Sequence, residues 1–227
     1  MTGLSDQVYL HEQIMLLILR DDAGTIEFGA WYNQAVGAAM LSELLLAERI
    51  EVEAGKKHMV NLLSDQPLGE PVIDECLNKI ATAKRRASAT NWVSRFGNLK
   101  QLKHRVAQGL CRRNILREDE DKVFLLFNRR IYPQVNPEPE QQLIERLRFA
   151  IFTDDEPDDV RTVVLVSLAN ACDLLKYTFD KKQLKGRAKR IKQLSNGDLI
   201  GSAAKEAIQT VQAAVLAASM TTVIVAN

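Results

Sequence analysis

Between Cys76 and Arg117 the chain carries eleven Lys or Arg residues and not one Asp or Glu. Cations without counter-charges suit the holding of an anionic group better than acid–base work. They make a surface that meets phosphate on a lipid headgroup, a nucleic acid or a small anion. The part richest in candidate ligands runs from Lys100 to Arg113 and includes Lys100, Lys103 and Arg105. The plainer alternative is that acidic segments pack beside the run and neutralise it. A second stretch, Lys176 to Lys192, has eight basic residues against Asp180 alone. The formal net charge of +1 therefore hides a strong segregation along the chain.

Other chemistry finds little support. His11, His58 and His104 stand alone, and His11-Glu12 lacks the second histidine of a zinc-protease helix, so no metal is expected. There is no G-x-S-x-G, no phosphate loop ending in Gly-Lys-Ser/Thr and no G-x-G-x-x-G. Asp21 and Asp22 precede a Gly and read as the end of a helix rather than as an acid and a base. No nucleophile, base and orienter stand together, so neither catalysis nor a cofactor is expected. Cys76, Cys111 and Cys172 lack metal-site spacing and read as buried thiols in a reducing compartment.

The elements that would position the basic run follow from periodicity. Apolar residues at Leu10, Ile14, Leu17 and Ile18 predict a helix over Tyr9 to Arg20. Asn33 to Glu48 is Ala- and Leu-rich and predicts a second helix. Ile50 to Leu62 alternates on either side of Ala54-Gly55-Lys56-Lys57 and reads as a β-hairpin. Gly69-Glu70-Pro71 opens a helix, and Ala87 to Phe96 adds a short one. Leu99 to Arg113 follows as the basic helix, burying Leu99, Leu102, Val106 and Leu110. Lys100 and Lys103 flank that stripe, while Arg105 and Arg112 lie near the opposite, solvated face. A second hairpin is predicted from Asn114-Ile115-Leu116, a turn over 118–121, and Val123 to Phe127. Gln141 to Phe152 and Pro157 to Phe179 are predicted helices, the latter begun by Asp154-Asp155-Glu156.

With 227 residues, 46% hydrophobic, and only 11 Gly and 6 Pro, a mostly α protein of one domain over 1–227 is expected. The N-terminus carries no secretory pattern. The charge-free segment Ala207 to Asn227 holds too many polar residues for a membrane span and reads as a buried helix with a loose tail. Helix plus wing, occurring twice in a basic context, also fits a winged-helix nucleic-acid binder. Its base readers would be limited to Gln101, His104 and Gln108.

The runs LHEQIMLLILRDDAGTI, AAMLSELLLAERIEVE, LGEPVIDECL, the NWV at Asn91 to Val93, the NIL and VFLLF of the second hairpin, and LANACDLL occur in order along nearly the whole chain. Together they resemble the Golgi phosphoprotein 3 family. The resemblance implies a helical bundle ringed by amphipathic helices with a protruding hairpin. It also implies a non-enzymatic protein that binds phosphatidylinositol 4-phosphate at the cytosolic membrane face, at the Golgi in eukaryotes. In eukaryotic members the headgroup site uses a Trp, an Arg further on, and two Arg spaced i,i+3 before the second hairpin. Those i,i+3 positions fall on Lys100 and Lys103, with Arg105 two residues beyond. The Trp position falls on Phe28, with Trp31 close by, and the remaining Arg position falls on Gly37. Lys holds phosphate as a point charge without the fork of Arg, so looser selectivity is expected. Arg112, Arg113 and Lys84-Arg85-Arg86 are assigned to general attraction. The chain begins near its first helix, without the basic arm of eukaryotic members, and its first hairpin is shorter. A bacterial-type or reduced member is the expectation, with an anionic phosphoinositide as partner and a homo-oligomer left open.

Overall fold

The computed structural model describes residues 8–20, 25–26, 32–53, 57–123, 127–157, 159–198 and 209. Nine helices and three two-stranded antiparallel pairs occur among them.

Helix α1 (Leu10–Leu16) is buried along its whole length, and the Tyr9 N–H donates to Glu12 Oε2 at 2.9 Å. It stops before the predicted Arg20. Leu19–Arg20 (β1) instead pairs antiparallel with Thr25–Ile26 (β2), and the Asp21-Asp22-Ala23-Gly24 turn lies outside the described residues. Helix α2 (Tyr32–Leu46) is buried on nearly every side from Ala35 to Leu44, as befits an Ala-rich helix apolar all round. It packs against α1 and three later helices, α3 (Pro71–Ala81), α4 (Ala89–Gly97) and α7 (Val160–Ala171). Between α2 and α3, β3 (Ile50–Val52) and β4 (Val60–Leu62) form the expected first hairpin.

Helix α5 (Leu102–Arg112) begins three residues later than its apolar stripe predicts. Gln101 sits at φ 54°, a left-handed residue that breaks the helical path between Lys100 and Lys103. The second hairpin is also shifted. Its strands are β5 (Asp119–Val123) and β6 (Phe127–Ile131), so the predicted turn over 118–121 is mostly strand, and Val123 and Phe127 pair with each other on opposite strands; residues 124–126 lie outside the described residues. An acidic strand runs beside a basic one, with Glu120 opposite Arg130 in register. Cross-strand charge pairing thus replaces the apolar alternation that the prediction relied on.

Helix α6 (Glu138–Phe152) agrees with expectation. The predicted long helix from Pro157 to Phe179 does not. Helix α7 starts at the cap Asp159, whose carboxylate accepts from Arg161 N at 2.9 Å and Thr162 N at 3.2 Å. It ends before Asp173 at φ 56°, a conformation that Asp tolerates, and the chain re-forms as a 3-10 turn at Leu175–Tyr177. Helices α8 (Lys181–Gly186) and α9 (Ala188–Ser195) complete the described core. Of the predicted Ala207 to Asn227 helix only Gln209 is described, donating to the Asn196 carbonyl at 3.4 Å; the rest lies outside the described residues.

The second basic stretch divides by residue type. Arg187 donates to the Ile151 carbonyl at 2.8 Å, to the Thr153 carbonyl at 2.5 Å and to Asp154 Oδ1 at 2.7 Å. Arg190, buried, donates to the carbonyls of Ala150 and Asp155. Two cations therefore satisfy the end of α6, where carbonyls lack helical partners and the dipole is negative. Lys181, Lys182, Lys185, Lys189 and Lys192 lie exposed.

Ionisable side chains lie at the heart of the bundle. The Leu10 N–H donates to Glu43 Oε1 at 2.6 Å, and Arg161 is ion-paired with the same oxygen. Glu70 caps α3, accepting from Val72 N at 2.9 Å and Ile73 N at 2.7 Å, and stands 3.7 Å from His11 Nε2. Arg113 Nε is 3.5 Å from Glu12 Oε1. Burial pushes Glu12 up to about 7, and pushes His11 down to about 3. The two oppose each other. An acid with a raised native pKa contributes stability present below its unfolded value and lost as pH rises toward 7. A histidine with a lowered native pKa loses stability as pH falls below 6.5. Removing the Glu12 charge exposes the first effect. Between pH 5 and 8, Glu12→Gln is expected to gain stability relative to the unsubstituted chain by roughly 3 kcal/mol, because burial holds the Glu12 carboxyl at about 7 in the folded chain while it ionises at lower pH once unfolded. Urea melts at both pH values check this; a difference independent of pH contradicts it.

Candidate anion-binding site

The α3–α4 connection and the turn before α5 place much of the acid-free run around one depression. Glu70 and Pro71 start α3, and Ser88 Oγ accepts from Asn91 N at 3.3 Å to start α4. Near the middle of α4, Trp92 is buried against Phe96 with ring centroids 5.5 Å apart. One turn on, the Arg95 guanidinium lies over the Trp92 ring, 4.7 Å from its centroid. Such a stack is worth about 0.5–1 kcal/mol where exposed. The depression is a cleft of about 910 Å³ with Lys84, Arg85, Trp92, Arg95, Asn98 and Lys100 in its wall.

The neutralisation alternative holds for part of the run. Lys79 lies 3.5 Å from Glu75, and Arg105 Nη2 lies 2.5 Å from the other oxygen of that carboxylate. Arg86 pairs with Glu53 and donates to Asn61 Oδ1 at 2.7 Å, Arg113 faces Glu12, and Arg117 faces Asp119 at 3.3 Å. Arg105, expected on a solvated face, is instead half-buried and spent on tying α5 to α3.

Lys100 is exposed in the cleft wall, whereas Lys103 is half-buried on α5 and does not line the cleft. Burial and the neighbouring Arg129 lower the Lys103 ammonium pKa. The turn at Gln101 therefore directs the two lysines to different surroundings. Phe28 and Trp31 lie outside the described residues. Gly37 sits where α2 meets α4: a Cβ there would stand 2.3 Å from the Val93 carbonyl oxygen and 2.9 Å from Gly97 N. An arginine finds no room at that crossing.

Two of the three candidate base readers of a winged helix are already engaged, while Gln101 lies exposed in the turn before α5. His104 Nδ1 is 2.7 Å from the Tyr132 hydroxyl, and Gln108 donates to Glu118 at 3.4 Å. Sequence reasoning missed Arg95 and Trp92 as cleft residues, and it treated Lys84 and Arg85 as general attraction. The spacing of Trp92 and Arg95, three apart on one helix, is the signal that could have found the first pair.

The family model described as Golgi phosphoprotein 3 (GPP34) matches residues 10–211. This chain belongs to the Golgi phosphoprotein 3 family. It is also similar to the vacuolar protein sorting-associated protein 74 of Schizosaccharomyces pombe, 24% identical over 216 residues. That match covers 79% of this chain and 63% of the relative, so the chain spans less than two thirds of the relative's length. No helix among the described residues is long and apolar enough to cross a membrane.

Proposed function

We propose that this member of the family is a non-enzymatic protein that docks peripherally on membranes by holding a phosphoinositide headgroup, phosphatidylinositol 4-phosphate in the first instance. Lys100 carries the reading. It occupies a headgroup position of the family pattern and keeps a positive charge. It is exposed and, among the described residues, makes no ion pair while five neighbouring cations do. Lys103, half-buried, adds field rather than an open ligand, and Arg105 acts through the geometry of Glu75. Phe28 and Trp31 remain the proposed aromatic contacts. A cytosolic membrane face, Golgi in a eukaryotic cell, is the matching location, and the relative's name adds a role in protein sorting.

Flotation with neutral vesicles, with and without phosphatidylinositol 4-phosphate, tests the reading. The chain is expected to float only with the phosphoinositide. Each basic residue near an anionic surface contributes about 1 kcal/mol, so neutralising two such residues weakens binding by about thirtyfold and reversing them weakens it further. Lys100→Glu with Lys103→Glu is therefore expected to abolish flotation. Equal flotation on neutral vesicles, or no change in the double variant, contradicts it.

A further inference from the structure

We infer that the cleft between α3 and α4 seats a phosphomonoester carried on a polyol ring, with Lys84, Arg85, Arg95 and Lys100 as its cations and Trp92 in its wall. The inference rests on the headgroup reading and reassigns which residues of this chain serve it.

The selection comes from the pairing pattern. Lys79, Arg86, Arg105, Arg113 and Arg117 of the acid-free run are each committed to a carboxylate. Lys103 lies away from the cleft beside Arg129, and Arg112, without an ion pair among the described residues, lines the cleft beside α6 instead. Lys84, Arg85 and Lys100 have no hydrogen-bond or ion-pair partner among the described residues, and Arg95 has only its stack on Trp92. These four line the same cleft. Its one carboxylate, Glu75, is already shared between Lys79 and Arg105. Uncompensated cations repel one another, and a bound dianion removes that repulsion.

The wall also carries aromatic, apolar and neutral polar groups beside its cations. Trp92 is 2% exposed, and its indole N–H is buried without a hydrogen-bond partner among the described residues. Buried this fully, the N–H is closed off from the cleft, and Trp92 serves the cleft as an apolar wall beneath the Arg95 guanidinium. The other polar groups suit a polyol. Ser94 contributes a hydroxyl to the wall, and Asn98 Nδ2 donates to the Ser94 carbonyl at 2.7 Å, leaving Asn98 Oδ1 to accept from a ring hydroxyl. Leu99 and Ala83 supply apolar contact for a ring's C–H face. Arg85 and Arg95 bring the planar forks that Lys100 lacks, in a chain whose α2–α4 crossing excludes an arginine at position 37.

The second large cleft, about 710 Å³ beside α6, lacks this character. Two of its three arginines, Arg113 and Arg146, face Glu12 and Asp159, and its wall also carries Glu145.

The test measures binding of free inositol 1,4-bisphosphate by calorimetry and of phosphatidylinositol 4-phosphate vesicles by flotation. Three chains are compared: the unsubstituted one, Lys84→Ala with Arg85→Ala, and Lys181→Ala with Lys182→Ala as a charge-matched control on α8. Charge-assisted hydrogen bonds are worth about 1.5–3 kcal/mol, so losing the cleft pair is expected to weaken both ligands by about tenfold or more, with the control little changed. Arg95→Ala provides an independent variant with the same expected direction. Vesicle binding by the unsubstituted chain that survives all cleft substitutions overturns the cleft and leaves the headgroup reading standing. An equal loss in the control also overturns it, in favour of unspecific attraction. Binding of the free bisphosphate without vesicle binding supports the cleft and overturns the membrane reading. Binding of neither ligand overturns both.

Discussion

Gly37→Ala is expected to destabilise the protein by about 3 kcal/mol, near the upper end for forcing an extra carbon into a packed contact. The new Cβ would stand 2.3 Å from the Val93 carbonyl oxygen, and the reciprocal approach is as tight, with a Cβ at Gly97 meeting the Asn33 carbonyl oxygen at 2.4 Å. The obstacles at both positions are backbone atoms, so no side chain can swing aside. Relief requires α2 and α4 to separate, and Trp92, Val93 and Phe96 on α4 would lose their packing with them. Gly37→Arg, which restores the residue implied by the family pattern, is expected to prevent folding rather than to complete a headgroup site. Urea midpoints measure the first variant. A loss below about 1 kcal/mol would mean that the helices part easily, and the account of the crossing would be wrong.

Glu43→Ala is expected to cost about 3–5 kcal/mol, the range for breaking a buried ion pair by removing one partner. Glu43 is 2% exposed and serves both the Leu10 N–H and the Arg161 guanidinium, so its loss strands a donor at the start of α1 and a cation between α2 and α7. Glu43→Gln keeps an acceptor for Leu10 and should lose less. Replacing both partners, Glu43→Leu with Arg161→Leu, should recover much of the loss, because desolvation of the pair offsets most of its attraction. Denaturant melts of the three variants decide this. A double variant no better than Glu43→Ala would show that the α1 cap, and not the stranded cation, sets the cost.

The family pattern and the order of elements from α2 to α6 are legible in the sequence because both rest on apolar spacing and on turn residues such as Gly69-Glu70-Pro71, whereas the β1–β2 pair and helices α8 and α9 are not. The boundaries fail where charge or a left-handed residue decides them. Nothing in the stripe Leu99, Leu102, Val106, Leu110 announces that Gln101 turns at φ 54° and separates Lys100 from Lys103. The second hairpin is held by an acidic strand beside a basic one, and an apolar template shifts it. The site is legible as a region and not as a set. Sequence counts the cations of the acid-free run alike, whereas only folding brings Glu75 to Arg105, Glu53 to Arg86 and Glu12 to Arg113. The residues left over in the cleft, Lys84, Arg85, Arg95 and Lys100, come from the α3–α4 connection, from α4 and from a turn, and no spacing rule joins them; Arg112, also without an ion pair among the described residues, lines the other cleft.

Vesicle partitioning at matched surface charge separates headgroup recognition from general attraction. One vesicle set carries phosphatidylinositol 4-phosphate and the other enough phosphatidylserine to give the same surface potential, both at physiological ionic strength, where the screening length is about 8 Å. A cleft that seats the phosphomonoester is expected to hold the chain on the phosphoinositide set and to release it from the phosphatidylserine set as salt rises. Equal partitioning on both, falling with salt in parallel, would contradict it and reduce the basic cleft to an unselective charged face.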